Sequence, residues 1–424
     1  MQTLFSLRLA FFVSFAILIR LPLYAQDFTG ADPESVGLSS ERLGRLDNLL
    51  QNYVDDGRLP GAALLLAKDG SIVYHKAFGY RDLESQTSLR PDDLFRIASQ
   101  TKAIISVAVM MLQERGELLI SDRLDAYIPE FEDTKVAVQA DDDAYEIVDA
   151  EHPITLRHLL THTSGIGYGS GPAADLWEEA GIQGWYFADR DEPIATTVER
   201  MAALPIDAQP GEQFVYGYST DILGVVIERA SGRPLDEFLR TEIFEPLRMQ
   251  DTFFYVPSEK TERLVTVYSS NDTTLSRAPD PGHMVGQGAY LEGPRKSFSG
   301  GAGLVSTPGD YARFLEMLRR GGELDDTRLL SPKTVELMTV DHLQSVPFGE
   351  GTGFGLGFSV LEDLGDRGQL GSVGEYGWGG AYHSSYWVDP EERLTVVYMT
   401  QVIPSAGLDD FAKVRALIYQ AFIE

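Results

Sequence analysis

Two periodicities divide this chain. In "LSSERLGRLDNLLQNYVDDG" (38–57) apolar residues recur at helical spacing, and Ser39 or Ser40 supplies an N-cap. "GAALLLAKDGSIVYHKAFGY" (61–80) reads as two strands joined by Asp69-Gly70, a strong hairpin signal. "SSYWVDPEERLTVVYMTQ" (384–401) predicts a second hairpin, turning at Asp389-Pro390. The segment after it, 407–424, is an amphipathic helix with Asp409 and Asp410 suited to its first turn. Helices and hairpins therefore occupy both ends, and the middle is largely helical with long loops.

This order predicts an α/β (α+β) chain in which the terminal strands share one antiparallel sheet, covered by the terminal helices. The sheet lobe takes about 39–98 and 300–424, and a mainly helical lobe takes about 99–299, within one domain spanning 26–424. A cleft between lobes is a common place for a small-molecule site. There are no internal repeats. The acidic segment "DDDAYEIVDAE" (141–151) lacks the glycine and spacing of a calcium loop and reads as a solvated surface loop.

The first residues stand apart. Arg8 precedes the apolar run "LAFFVSFAILI" (9–19), which Arg20 and Pro22 interrupt before a small residue at Ala25. That is a signal-peptide pattern for 1–25, with cleavage before Gln26, and it predicts a periplasmic or secreted bacterial protein without a membrane anchor. No cysteine occurs, so disulfides, thiolate metal sites and a cysteine nucleophile are excluded. The formal charge of −29 repels nucleic acid and anionic membranes. It identifies no substrate.

Candidate chemistry begins at "RIASQTKAI" (96–104), ahead of the apolar run "ISVAVMMLQERGEL" (105–118). Ser99 and Lys102 are three apart, on one face if a helix starts near Ser99, roughly 5–6 Å between Cβ atoms. The serine then sits at the positive end of the helix dipole, and a desolvated lysine is able to take its proton. The bland alternative is a capping serine followed by an exposed lysine, and S-x-x-K arises often by chance. Two further segments change the weighing. Tyr216 lies in a tight turn of "PGEQFVYGYSTDILG" before an apolar helix, and "GEYGWGGAYHSSYW" places Trp378-Gly379-Gly380 just ahead of a strand. "ITLRHLLTHTSGIGYGSG" falls between Lys102 and Tyr216.

Together these segments resemble the serine β-lactamase and penicillin-binding (DD-peptidase) fold, in its class C-like branch, and within it the family VIII carboxylesterases. The resemblance runs from about Leu38 to the C-terminus. It implies Ser99 as the acylated nucleophile and Lys102 as its proton acceptor or as the group that tunes the base. It makes Tyr216 the proton shuttle and the backbone N–H groups of Ser99 and Ala381 the oxyanion hole. Glycines at 379 and 380 suit close approach of a strand edge to substrate. Two positions depart from the lactamase pattern, because Tyr218 stands where an asparagine is usual and Trp378 where a lysine or histidine is usual. Both are expected to offer an aromatic wall to substrate. Trp-Gly-Gly is the version shared with the esterases.

His383, four residues after Gly379, is either a pocket residue or a surface one. His158 and His162 are spaced like helical metal ligands but lack a third, so they are read as structural. No serine fits G-x-S-x-G, and no phosphate-binding glycine loop is present. The expectation is a secreted serine hydrolase that cleaves small carboxylic esters with short acyl chains through an acyl-enzyme on Ser99 and needs no metal or organic cofactor. A β-lactamase, a D-amino-acid peptidase, an acyltransferase and an acyl-binding sensor remain as rivals.

Overall fold

The computed structural model describes residues 28–140, 144–271 and 274–423, and the expected signal peptide lies outside them. Eight strands form one antiparallel sheet. Three come from the N-terminal part: β1 (Gly61–Lys68), β2 (Ser71–Asp82) and β3 (Thr87–Ser88). Five come from the C-terminal part: β4 (Thr352–Phe354), β5 (Ser359–Leu361), β6 (Tyr376–Gly380), β7 (Ser384–Asp389) and β8 (Leu394–Met399). Their spatial order is β4-β5-β6-β7-β8-β1-β2-β3. Both predicted hairpins form. At the first, Asp69 (φ 55°) and Gly70 (φ 81°) take the left-handed conformations that a two-residue turn between twisted strands requires. The two ends of the chain meet where β1 pairs with β8, from Ala63 opposite Met399 to Lys68 opposite Leu394.

The two faces of the sheet carry different layers. Helices α1 (Ser40–Asp55) and α5 (Asp410–Tyr419) cover one face, with Leu43, Leu46, Leu50, Val414 and Ile418 packed on Leu64, Leu66, Val396 and Tyr398. Ser39, not Ser40, caps α1 by accepting the Arg42 N–H at 3.2 Å. The other face is covered from the interior, where Ala63, Leu65, Val397 and Met399 join the main core with α2 (Thr101–Glu114), α3 (Ser219–Ser231) and α4 (Pro308–Arg319). Strand β1 is consequently buried along its whole length, which is why it reads as a continuous apolar run. Every residue of α2 from Thr101 to Leu112 is buried.

Two details differ from expectation. The acidic segment is no simple loop: Tyr145–Asp149, itself largely exposed, pairs antiparallel with Lys135–Gln139, whose Val136 and Ala137 are buried. Its pairing partner lies upstream, so its own composition could not reveal it. In α5 only the position of the acidic pair was legible. Asp409 pairs with Arg58 at 2.9 Å and Lys413 at 2.5 Å, whereas Asp410 is fully buried and accepts hydrogen bonds from Tyr398 and His383. Strand Val402–Ala406 also pairs in parallel with Tyr268–Asn271, stitching the C-terminal part to the middle of the chain. Among the described residues no helix is long and apolar enough to cross a membrane.

Candidate active site

The chain enters the site through Phe95–Arg96, a short strand paired with Val305–Ser306. The buried Arg96 guanidinium locks this entry, donating to the carbonyls of Gln287 and Val265 at 2.6 Å each. Ala98 then adopts φ 42°, a left-handed conformation strained for a residue with a side chain. Ser99 follows inside a 3-10 turn, Ala98–Gln100, and α2 begins only at Thr101. The serine is thus presented by a tight turn directly ahead of the helix, near the helix start that its spacing to Lys102 suggests, and it is half-buried.

Lys102 does not escape to solvent. It is 2% exposed, and its Nζ donates to Gly301 O at 2.7 Å and Tyr168 Oη at 3.1 Å, with Ser99 Oγ at 3.4 Å. Burial pulls its pKa down, but Tyr168, Tyr216 and Asp221 outweigh burial and hold it above the usual lysine value. This environment favours the ammonium form of Lys102. Asp221 stands behind it, accepting from Gly301 N at 3.0 Å and Ser299 Oγ at 2.6 Å. The Gly301 peptide links the two, giving its carbonyl to Lys102 and its N–H to Asp221.

Tyr216 faces the same ammonium, which lies 4.7 Å from its ring centre. The Trp378 indole N–H donates to Tyr216 Oη at 2.9 Å. Such a bond strengthens when the phenolic oxygen gains negative charge. Trp378 itself packs against Phe348 and Phe354, giving one side of the site an aromatic wall. Strand β6 reaches the nucleophile because Gly380 is bare: a Cβ there would lie 2.6 Å from Ile97 O. The elements carrying Ser99 and Lys102, Tyr216, and Trp378 and Gly380 are thus brought together from three separate parts of the chain.

Other expected site residues lie elsewhere. Tyr218 offers no wall to substrate. It is fully buried, stacks on Trp177, and donates to Gly184 O at 2.7 Å. A phenol two residues from Tyr216 has its hydroxyl satisfied in the core, which sequence alone could not indicate. His383 (φ 57°) is turned from the pocket, with Nε2 2.8 Å from Asp410 Oδ1 and its ring stacked on Phe411. His158 closes a capping box with Thr155, and His162 is buried against Tyr216 and Phe354. Burial, and then Lys102, push His162 well below the usual histidine value, so it stays neutral. Arg295 and Lys296, the nearest basic residues in sequence to the glycine run 300–303, are engaged by carbonyls and by Asp191 respectively.

Sequence reasoning passed over Tyr168, Asp221 and Gly301. Tyr168 had a signal, since it sits in the glycine-rich "TSGIGYGSG" between the two motifs. Burial raises its pKa, so it remains a phenol that accepts from Lys102. Asp221 reads only as an acidic residue in a first helical turn, and Gly301 as part of a small-residue run. Among the described residues, no group of three or more histidine or acidic side chains is placed to hold a metal ion.

The arrangement is a serine, a buried ammonium and a phenol in one contact network, beside a glycine strand edge. The chain belongs to the β-lactamase family, whose profile matches residues 46–420. It falls in the class C-like serine β-lactamase and penicillin-binding superfamily, related to esterase and carboxypeptidase branches. Esterase EstB of Burkholderia gladioli is 32% identical over 386 residues, covering 87% of this chain and 93% of EstB. Lovastatin esterase of Penicillium rubens is 30% identical over 397 residues, covering 85% and 94% respectively. The solved structure of EstCE1, described as a hydrolase with promiscuous acyltransferase activity, superposes with a TM-score of 0.78 at 28% identity. That match covers 89% of this chain and 99% of EstCE1. The chain is a serine hydrolase of this superfamily, acting on ester- or amide-type substrates.

Proposed function

We propose that the protein is an exported hydrolase of small carboxylic esters that works through an acyl-enzyme on Ser99. Ser99 Oγ attacks the ester carbonyl as its proton passes to Tyr216 Oη, which accepts it in the phenolate form, its charge offset by the adjacent Lys102 ammonium. The backbone N–H groups of Ser99 and Ala381 take the oxyanion, where two convergent donors contribute several kcal/mol. Tyr216 returns the proton to the departing alcohol, and water then repeats the cycle on the acyl-serine.

One observation carries the ester preference: Trp378 spends its polar atom on Tyr216 and presents an aromatic surface where a lactamase has a cation. An aromatic wall buries an alkyl or aryl group at about 25 cal/mol per Å². It supplies no charged bond to a substrate carboxylate, worth about 1.5–3 kcal/mol. The named activities of EstB and lovastatin esterase point the same way. The test is kcat/KM for a short p-nitrophenyl ester against that for a chromogenic cephalosporin, with phosphonate labelling of Ser99 in parallel. The expected ratio exceeds one, and Ser99→Ala removes both label and turnover. A ratio below one, or label on another serine, would overturn the reading.

A further inference from the structure

Trp177 gives its indole N–H to Pro205 O and Trp378 gives its own to Tyr216 Oη, at 2.9 Å each. Trp387 is packed in the core. Trp185 differs from all three. It is half-buried, and its N–H neither meets an acceptor among the described residues nor lies sealed in the interior. An indole that packs its body and leaves an edge open is suited to contact with a ligand.

Its surroundings tie that edge to the nucleophile. Trp185 and Ala381 pack on one small cluster that includes Ala98, Ala302 and Tyr382. Each of those three is next in sequence to a residue of the site: Ser99, Gly301 and Ala381. The Trp185 ring meets Tyr382 edge-on, with centres 5.7 Å apart. Trp378 lies in β6 and Tyr382 just beyond its end, so the two tryptophans flank the glycine edge from opposite ends.

Trp185 has little room to give way. Gly184 N–H donates to Tyr168 O at 3.1 Å and Gly184 O accepts from Tyr218 Oη at 2.7 Å, which pins the backbone just before it. Just after it, the Tyr186 hydroxyl accepts the Ala289 N–H at 2.5 Å. The space that the indole shares with Tyr255, Tyr290 and Ala302 is too small to hold a water molecule. A wall packed in this way resists an added methylene instead of yielding to it.

We propose, on the esterase reading above, that Trp185 closes the acyl side of the cleft and limits the enzyme to short acyl groups. The departing alcohol takes its proton from Tyr216 and so leaves on the Trp378 side. The carbonyl oxygen points to the N–H groups of Ser99 and Ala381. The remaining substituent of the tetrahedral carbon, the acyl chain, is directed away from Tyr216, along the edge toward Tyr382 and Trp185.

The experiment compares kcat/KM across two ester series. One lengthens the acyl chain, from p-nitrophenyl acetate through butyrate to octanoate, and the other lengthens the alcohol, from methyl to octyl acetate. Wild-type kcat/KM should fall beyond butyrate. Each buried methylene contributes about fourfold, so Trp185→Ala should raise the octanoate-to-butyrate ratio about tenfold and Trp185→Leu several-fold. The octyl-to-methyl ratio of the acetates should change less than about twofold. Phosphonate titration of Ser99 counts the folded sites in each variant. Unchanged acyl ratios, or equal movement of both series, would overturn the assignment. Loss of the titratable site in both variants would make Trp185 a structural residue and overturn it equally. If wild type prefers the cephalosporin, the esterase reading fails by itself. The acyl wall is then tested by the rates at which p-nitrophenyl methyl- and octylphosphonates label Ser99, which need no turnover: Trp185→Ala should shift their ratio about tenfold toward octyl, and no shift would overturn the wall.

Discussion

Trp378 is the residue on which the proposed ester preference turns. Its indole gives up the cationic role and takes on another, donating to Tyr216 Oη. Trp378→Phe keeps the aromatic wall and deletes only the donor. If the phenolic oxygen carries charge in the transition state, kcat for a short ester should fall by roughly one to two decades with KM little changed. Steady-state kinetics decide it, and an unchanged kcat would remove the indole from the proton path. Lys102 and Tyr216 should act as a unit. Lys102→Ala or Tyr216→Phe is expected to lower kcat by roughly 10²–10⁴-fold, and the double variant should be hardly worse than the poorer single one. Fully multiplicative losses in folded protein would mean separate roles.

At the scale of elements, the seating of α5 depends on one buried carboxylate. Asp410 accepts from Tyr398 Oη at 2.7 Å and contacts His383 Nε2 at 2.8 Å, tying the helix to β8 and to the loop after β6. Asp410→Ala would leave those partners without an acceptor. A cost of about 2–4 kcal/mol is expected, read as a lower midpoint in denaturant at unchanged m-value. Turnover per folded molecule at low temperature should be close to wild type, because neither His383 nor Asp410 lies in the cleft. A large loss of kcat in folded Asp410→Ala would return His383 to the site. The hairpins and terminal helices were legible because their signals are local: a period of two, a turn dipeptide, a cap. The acidic hairpin was not, because its apolar partner strand is upstream.

For the molecule as a whole, two half-buried carboxyls couple stability to pH. Asp207 is wrapped by the glycine-rich loop that carries Tyr168, and burial raises its pKa to about 6 against a bond from Gly167 N–H. Burial raises Asp310, in the first turn of α4, to about 6 as well. Both folded values lie above the ordinary aspartate value near ~3.9. Each group therefore favours the folded state fully below about pH 4, and that contribution is lost as pH rises through about 6. Asp207→Asn, neutral throughout, should gain on wild type over that window. Thermal melts from pH 4 to pH 8 are expected to show the difference in Tm moving in favour of the variant and levelling off near pH 7. A flat difference would mean that Asp207 ionises alike in folded and unfolded chains.

The sequence by itself determined the class of fold, the serine–lysine pair, the tyrosine motif and the Trp-Gly-Gly edge. Those features are spacings of a few residues, or apolar periods, and local geometry dictates them. The tertiary structure decided which aromatic residues face the cleft. The chain put Tyr218 beside Trp378 in an aromatic wall and left His383 as a pocket or a surface residue, yet Gly184 O and Asp410 hold them elsewhere. It also decided the state of Lys102, whose charge is kept by groups 66, 114 and 119 positions away at Tyr168, Tyr216 and Asp221. Electrostatic fields and hydrogen-bond partners act through space, and only the packed chain brings those positions within reach of one another.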